Sequence, residues 1–435
     1  MRKRRAVFGV LVIWMMTICG VSRPAGIQAQ AGATAQSGAA GAVEDPVRML
    51  VGRLDIEKYK ATIKGLTQFG DRRQGTDRNR AANDWIEAQL KSYGYSDVGR
   101  IQYEYAPAAR TGGTGGAAAA TGAGRGGATA AAGTAGRGGT GAAAQGRGRG
   151  SANPIKGNRG PTGVNNDPLK QPDEKLRELN MHPSTPGPRE QVYCTKIGST
   201  HPEEMYIVSG HMDGLGYSEA ANDNASGAAL VMELARIFSS PDVQTDRSIR
   251  FVLWNNEETG LNGARAYVVQ RAALQGKEDP PNSGKYPEPK WLGVIAHDMM
   301  LYDHGMPGPD GKLPAEQRPE ADVNIEFAGT SKMAAQAQEL AWAFKAANDR
   351  YATDNPAVVG NRMSNTDSAA FQDVVASISL REAERLSQVG MGWDPTWHQP
   401  IDVFSTFSDK DFRLGLNAAQ TTLAAIAQLA GVKVK

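Results

Sequence analysis

The chain has 435 residues, 40% hydrophobic and 22% charged, an ordinary globular composition with material for at least one sizeable packed core. Its 48 basic and 46 acidic residues give a formal net charge of +2, but five of the basic ones, Arg2, Lys3, Arg4, Arg5 and Arg23, precede residue 32, which leaves 43 bases against 46 acids beyond it. A mildly acidic body argues against nucleic acid as the main partner and suits substrates that carry cationic groups.

The first segment joins Arg2-Lys3-Arg4-Arg5 to an apolar run from Ala6 to Val21 and a small-residue site at Ala29-Gln30-Ala31. That order describes the signal peptide of an exported chain, residues 1–31, so the mature protein is expected to be periplasmic or secreted, without stable membrane association. The rival reading, an uncleaved anchor, suffers because the run is short for a spanning helix. Cleavage would remove Cys19 and leave Cys194 alone, so no intramolecular disulfide can form.

Residues 32–44 read as a disordered lead and 45–435 as one domain. Apolar residues recur at helical spacing over Ile56 to Phe69 and again over Asn79 to Tyr93, with Thr76 or Asp77 as N-cap of the second helix. Ile101 to Tyr105 alternates like a strand. Residues 106–163 are then nearly all Gly, Ala, Thr and Arg; with so little apolar surface to bury, they are expected to form a disordered surface insertion.

Beyond Gln191, short apolar runs alternate with amphipathic ones. The spacing predicts strands over Met205–Ser209, Ile249–Trp254, Trp291–Ala296 and Val374–Leu380. It predicts helices over Ala225–Phe238, Leu261–Arg271, Thr330–Ala347, Thr366–Phe371 and Asp409–Leu429. Such alternation implies an α/β fold, a single domain whose central mixed, mostly parallel sheet is flanked by helices on both faces.

In a parallel sheet, functional groups gather just past the carboxyl ends of the strands. His211 and Asp213 follow the Met205 strand, Asp223 lies in the next loop, Glu257 and Glu258 follow the Phe251-Val-Leu-Trp strand, Asp298 follows the Ile295 strand, and His398 sits in a late loop. Singly, each has an ordinary reading: a structural histidine, a solvated glutamate pair, a turn capping a helix. Together they do not, because carboxylates gathered without a cation would repel one another. Imidazoles mixed with carboxylates suit zinc, and manganese or cobalt would also serve. So many carboxylates point to two ions bridged by one of them, roughly 3.5 to 4 Å apart.

Five motifs in order, Gly210-His-Met-Asp213, Asn222-Asp-Asn-Ala-Ser-Gly227, Asn256-Glu-Glu-Thr-Gly-Leu261, His297-Asp-Met299 and Trp397-His-Gln-Pro-Ile-Asp402, resemble those of peptidase family M28, the co-catalytic zinc aminopeptidases and their relatives. The resemblance implies that His211 and Asp298 hold one zinc, Glu258 and His398 the other, and that Asp223 bridges them. Asp213 would orient His211, and Glu257 would be the general base that moves a proton from metal-bound water to the leaving amine. Asp402 would orient His398 or its loop. Two departures stand out. Several relatives carry tyrosine where this chain has Trp397, which leaves oxyanion stabilisation unassigned. Thr366-Asp367-Ser368 stands where the family often shows Ser-Asp-His. His182, His201, His297 and His304 are expected in surface or structural roles.

The implied activity is removal of N-terminal residues from peptides. Three activities compete with it on the same fold. A carboxypeptidase would need a clamp for the substrate carboxylate, for which Arg381 and Arg385 are candidates. A glutaminyl cyclase-like acyl transferase and a non-catalytic binding module complete the set.

Overall fold

Within the run that precedes His211, Met205 and Ile207 enter one apolar core while Val208 enters another. Side chains two apart share a face of a strand, so this strand is buried on both sides and lies inside a sheet. The computed structural model describes residues 45–105, 164–305, 312, 314–318, 323–363, 365–382 and 394–435. The expected signal peptide, the lead and the 106–163 insertion lie outside the described residues.

The described residues begin with three helices: α1 Pro46–Val51, α2 Ile56–Thr67 and α3 Asp77–Ser92. The N-cap of α3 is Thr76, whose Oγ1 accepts from the Asn79 amide at 3.2 Å. There follow β1 Gly99–Tyr105, α4 Glu174–Asn180, β2 Gly187–Lys196, β3 His201–His211, α5 Gly227–Phe238, β4 Val243–Gln244, β5 Arg247–Trp254, α6 Asn262–Arg271 and β6 Lys290–His297. The last elements are β7 Val323–Phe327, α7 Ala334–Tyr351, β8 Ala357–Gly360, β9 Ser377–Arg381, α8 Asp409–Leu429 and β10 Lys433–Val434.

Eight strands form one sheet in the order β1-β2-β5-β3-β6-β9-β7-β8. The inner strands β5, β3, β6 and β9 run parallel, whereas β1, β2 and β7 join antiparallel, so the sheet is mixed around a parallel centre. On one face Ile249, Phe251, Leu253 and Ile295 pack with α1, α2, α3, α5, α7 and α8. On the other, Val252, Trp254 and Val294 pack with α6, Trp291 and Phe371. Every residue of α5 except Arg236 is buried, as expected for a helix enclosed by the sheet, α2 and α8. Among the described residues no helix is long and apolar enough to cross a membrane.

Candidate metal centre

Three parallel neighbours end side by side. His211 closes β3 opposite Trp254 of β5, and Gly210 lies opposite His297 of β6. The next residues on β5 and β6 are therefore the Asn256-Glu257-Glu258 turn and Asp298, and β9 adds Arg381 at the same edge. A two-residue register error would move a carboxylate by about 7 Å, so the apolar alternation of the strands is what brings these groups together.

The structure gathers His211, Asp223, Glu257, Glu258, Asp298 and His398 within one buried cluster. One ligand atom each from His211, Glu257 and Asp298 lie within 4.8 Å of one another, as do those from His211, Asp223 and Glu258. His211 Nε2 is 3.4 Å from Asp298 Oδ1 and 3.5 Å from Asp223 Oδ1. His398 Nε2 is 3.2 Å from Asp223 Oδ2 and 2.8 Å from Glu258 Oε2. Asp223 thus turns one oxygen to each imidazole.

The Asn222-Asp-Asn-Ala-Ser-Gly run has a local logic. Asn222 Oδ1, Asn224 Oδ1 and Ser226 Oγ accept from the amides of Leu301, Met299 and Met300 at 3.0, 3.2 and 3.1 Å. Every second side chain holds the loop after Asp298, and Asp223, between them, is left to face the site. Gly227 is needed because a Cβ there would come within 2.4 Å of the His297 carbonyl oxygen. Backbone in the left-handed region flanks the ligands at Ala220, Asn256, Met299 and His398 itself, and the Asp223–Asn224 peptide is cis. Left-handed backbone at such residues persists where surrounding contacts fix it, and it collects at functional sites.

Asp213 meets the His211 ring through its backbone, and Asp402 reaches a different loop. His211 Nδ1 lies 3.0 Å from the backbone oxygen of Asp213, whereas the Asp213 carboxylate is 3.8 Å away and accepts instead from the amides of Glu257 and Glu258 at 3.1 and 3.4 Å. Amide dipoles in the tight Glu-Glu turn attract that carboxylate more closely than the ring does. Asp402 accepts from the amides of Asn222 and Asp223 at 2.7 and 3.0 Å, so its carboxylate fixes the Asp223 loop and not His398. Trp397 lies against the His398 ring, with centroids 4.5 Å apart. His297 bridges the Ser209 carbonyl and Thr422 Oγ1, and burial lowers its pKa to about 4, so it is a neutral core residue.

Arg381 is held by acids of the sheet edge. Its Nη2 donates to Asp298 Oδ2 at 2.5 Å and its Nε lies 3.8 Å from Glu326, while Arg385 lies outside the described residues. Arg381, the candidate clamp for a substrate carboxylate, thus supports the Asp298 carboxylate through Nη2. Sequence reading could not anticipate this, because the two residues meet only through the pairing of β6 with β9.

Burial pushes Glu257 well above the ordinary carboxylate range, with His211 opposing and Asp367, Glu258 and Asp298 adding to the rise. Burial likewise pushes Glu258 up to about 7, against the pull of His398. Burial disfavours a charge on His211, yet Glu257, Asp298 and Asp223 raise it well above the usual imidazole value. Each of these shifts expresses one condition: too many buried carboxylates for the positive charge available. A divalent cation relieves it. A tetrahedral site with bonds of about 2.0 to 2.1 Å has edges of about 3.3 to 3.4 Å, close to the separations of His211, His398, Asp223 and Asp298. Glu258 Oε1 is moreover buried without a hydrogen-bond partner. The donor set therefore fits zinc.

The sequence model of peptidase family M28 matches residues 192–420, more than half of the chain. The chain belongs to peptidase family M28. Its similarity to individual relatives is local. Aminopeptidase YwaD of Bacillus subtilis is 43% identical over 82 residues, 19% of this chain and 17% of the relative. Carboxypeptidase Q of Xenopus laevis is 37% identical over 71 residues, 16% of this chain and 15% of the relative. The matched segment thus spans about a sixth of the length of these curated relatives. In fold the likeness is broad: the zinc aminopeptidase BSAP of Bacillus subtilis superposes with a TM-score of 0.54 at 14% identity, over 86% of this chain and 95% of that one.

Proposed function

We infer that this M28 chain is an exported zinc aminopeptidase that removes N-terminal residues from peptides at a two-ion site. The observation that carries the reading is the placement of Asp223, one carboxylate oxygen toward His211 and the other toward His398, with Glu257 buried beside them. His211 and Asp298 would hold one ion, Glu258 and His398 the other, and Asp223 would be shared. Zinc, when bound, supplies Lewis acidity that polarises the scissile carbonyl and acidifies water. The rest falls to the protein. Glu257, made basic by burial and neighbouring carboxylates, accepts the proton of the attacking water and returns it to the departing amine. Asp213 holds the Glu257–Glu258 turn so that the two glutamates divide their tasks, and Arg381 fixes the Asp298 carboxylate.

An acidic pocket attracts the free amine of a substrate and repels a C-terminal carboxylate, which favours an aminopeptidase over a carboxypeptidase. The test is mass spectrometry of a mixed peptide library incubated with the mature protein and zinc. Loss of N-terminal residues is the expected result. Loss of C-terminal residues, loss of ammonia from N-terminal glutamine without cleavage, or no change would each overturn the reading, in favour of a carboxypeptidase, a cyclase or a binding module respectively.

A further inference from the structure

One buried acid has no part in the mechanism so far. Asp367 opens the 3-10 turn Asp367–Ala370, is 1% exposed, and neither of its carboxylate oxygens accepts a hydrogen bond. The usual structural reasons to bury an aspartate are missing. The N-cap position of its turn is held by Thr366, and among the described residues no arginine, lysine or histidine pairs with it. An unpaired buried carboxylate is costly, so its retention asks for an occupant.

The turn is held rigidly. Phe371, directly after it, packs between Trp254, Tyr267 and Trp291 with ring centroids 5.7, 6.2 and 5.5 Å away. The turn also packs on β6 and β9, the strands that end in Asp298 and Arg381. Held there, the turn lies beside the metal centre: the Asn365 carbonyl, two residues before Asp367, accepts from Arg381 Nη2 at 3.4 Å, and the same nitrogen donates to Asp298.

Every other carboxylate of the cluster has work. Asp223, Glu258 and Asp298 are ligands in the reading above, Glu257 is the base, and Asp213 holds two backbone amides. Two divalent ions with Arg381 still leave these acids, Asp367 and Glu326 with an excess of negative charge. We propose that Asp367 is the anchor of the substrate's α-ammonium group, the residue through which this site selects a free N-terminus. An ammonium offers three N–H donors, and Asp367 offers two unclaimed acceptor oxygens in a water-poor position where a charge-assisted hydrogen bond is strong. The same carboxylate rejects acylated N-termini, which bring no cation to balance it.

This inference rests on the aminopeptidase reading, and its test separates the two. Two substrates are compared, leucine p-nitroanilide and 4-methylpentanoyl p-nitroanilide, which differ only in the α-amine. In Asp367→Asn, kcat/KM for the amine substrate is expected to fall about 10²- to 10³-fold, mainly through KM, while the des-amino substrate is hydrolysed at its wild-type rate; loss of a paired charge at a buried site is of this size. Zinc content and Tm are measured alongside. Should Asp367→Asn fail to fold, Asp367→Glu, which displaces the carboxylate by one methylene, must show the same selective loss. Equal losses on both substrates, or an undiminished preference for the amine, would overturn the role of Asp367. A wild-type protein that leaves leucine p-nitroanilide intact would refute the aminopeptidase reading, and this inference with it.

Discussion

Arg72 offers the sharpest test of how the site is held. It is completely buried, and its guanidinium reaches five carbonyls. Nε donates to Met212 at 2.6 Å, Nη1 to Gly70 and Glu219 at 2.8 Å and to Leu66 at 3.3 Å, and Nη2 to Ala220 at 2.8 Å. Met212 lies between His211 and Asp213, and Ala220 lies three residues before Asp223, so one side chain pins both ends of the loop that joins two of the proposed metal ligands. Burial lowers its pKa to about 10, with Asp71, Asp402, Asp213 and Glu219 opposing. In Arg72→Lys the ammonium has three donors for five acceptors, so at least two carbonyls lose their partner. At about 1 to 3 kcal/mol for each buried acceptor left unpaired, the variant should lose about 2 to 6 kcal/mol. Urea denaturation of the metal-free protein measures this as a lower midpoint at unchanged slope, and zinc titration should show weaker binding. A variant within about 0.5 kcal/mol of wild type, with unchanged zinc affinity, would refute the view that Arg72 sets the loop.

Three further outcomes are expected. Glu257→Gln should keep its zinc by elemental analysis and lose roughly two to four orders of magnitude in turnover; near-wild-type activity would remove Glu257 from the role of base. Asp223→Ala should bind fewer than two ions under native mass spectrometry, and two retained ions would exclude a bridging role. Elsewhere in the fold, His304 stacks on Tyr302 and donates to Asp411 at 2.9 Å. Burial works against its charge, but Asp411 and the Pro314 carbonyl raise its pKa above the ordinary value. A raised imidazole contributes stability that is full below the unfolded pKa of about 6.5 and is lost as pH rises through the folded one. His304→Gln should therefore destabilise more at pH 6 than at pH 9 in thermal melts, and equal losses at both would count against the charged pair.

What could be read from the sequence depended on range. The β3, β5 and β6 strands and the α8 helix were legible because burial repeats at short period along each: α8 spans Asp409–Leu429, with the Asp411 carboxylate accepting from the Ser408 amide at 2.6 Å at its first turn. The α4 helix, Glu174–Asn180, gave no signal, since only Asn180 of its residues is buried. The β8 strand, Ala357–Gly360, is a short edge strand with one fully buried residue. In the site, ligand types at successive strand ends could be recognised, because a sheet converts chain order into spatial order. The partners of those ligands could not. Arg381 meets Asp298 across 83 residues of sequence and Asp402 meets Asp223 across 179. Neither spacing has a periodicity, so only the folded sheet reveals that Arg381 is committed to a ligand and that Asp402 serves a different loop.

Those long-range partners follow one pattern. Asp213 takes the amides of Glu257 and Glu258, Asp402 takes those of Asn222 and Asp223, and Glu382 takes those of Leu301 and Tyr302 at 2.9 and 2.5 Å. In each case a buried carboxylate from one segment at the sheet edge grips two successive backbone amides of another. A carboxylate is the right group for this, since an ionised acceptor strengthens each bond: Asp213 and Asp402 give one oxygen to each amide, and Glu382 takes both amides on a single oxygen. Burial nonetheless pushes Asp402 up to about 8 and raises Asp213, so the ties carry a desolvation cost and hold best when cations lie nearby. The loops around the centre are thus linked to one another through these carboxylates. Metal binding and loop order should accordingly be coupled: the ions draw on ligands that the ties have already placed, and their charge stabilises the carboxylates that form the ties.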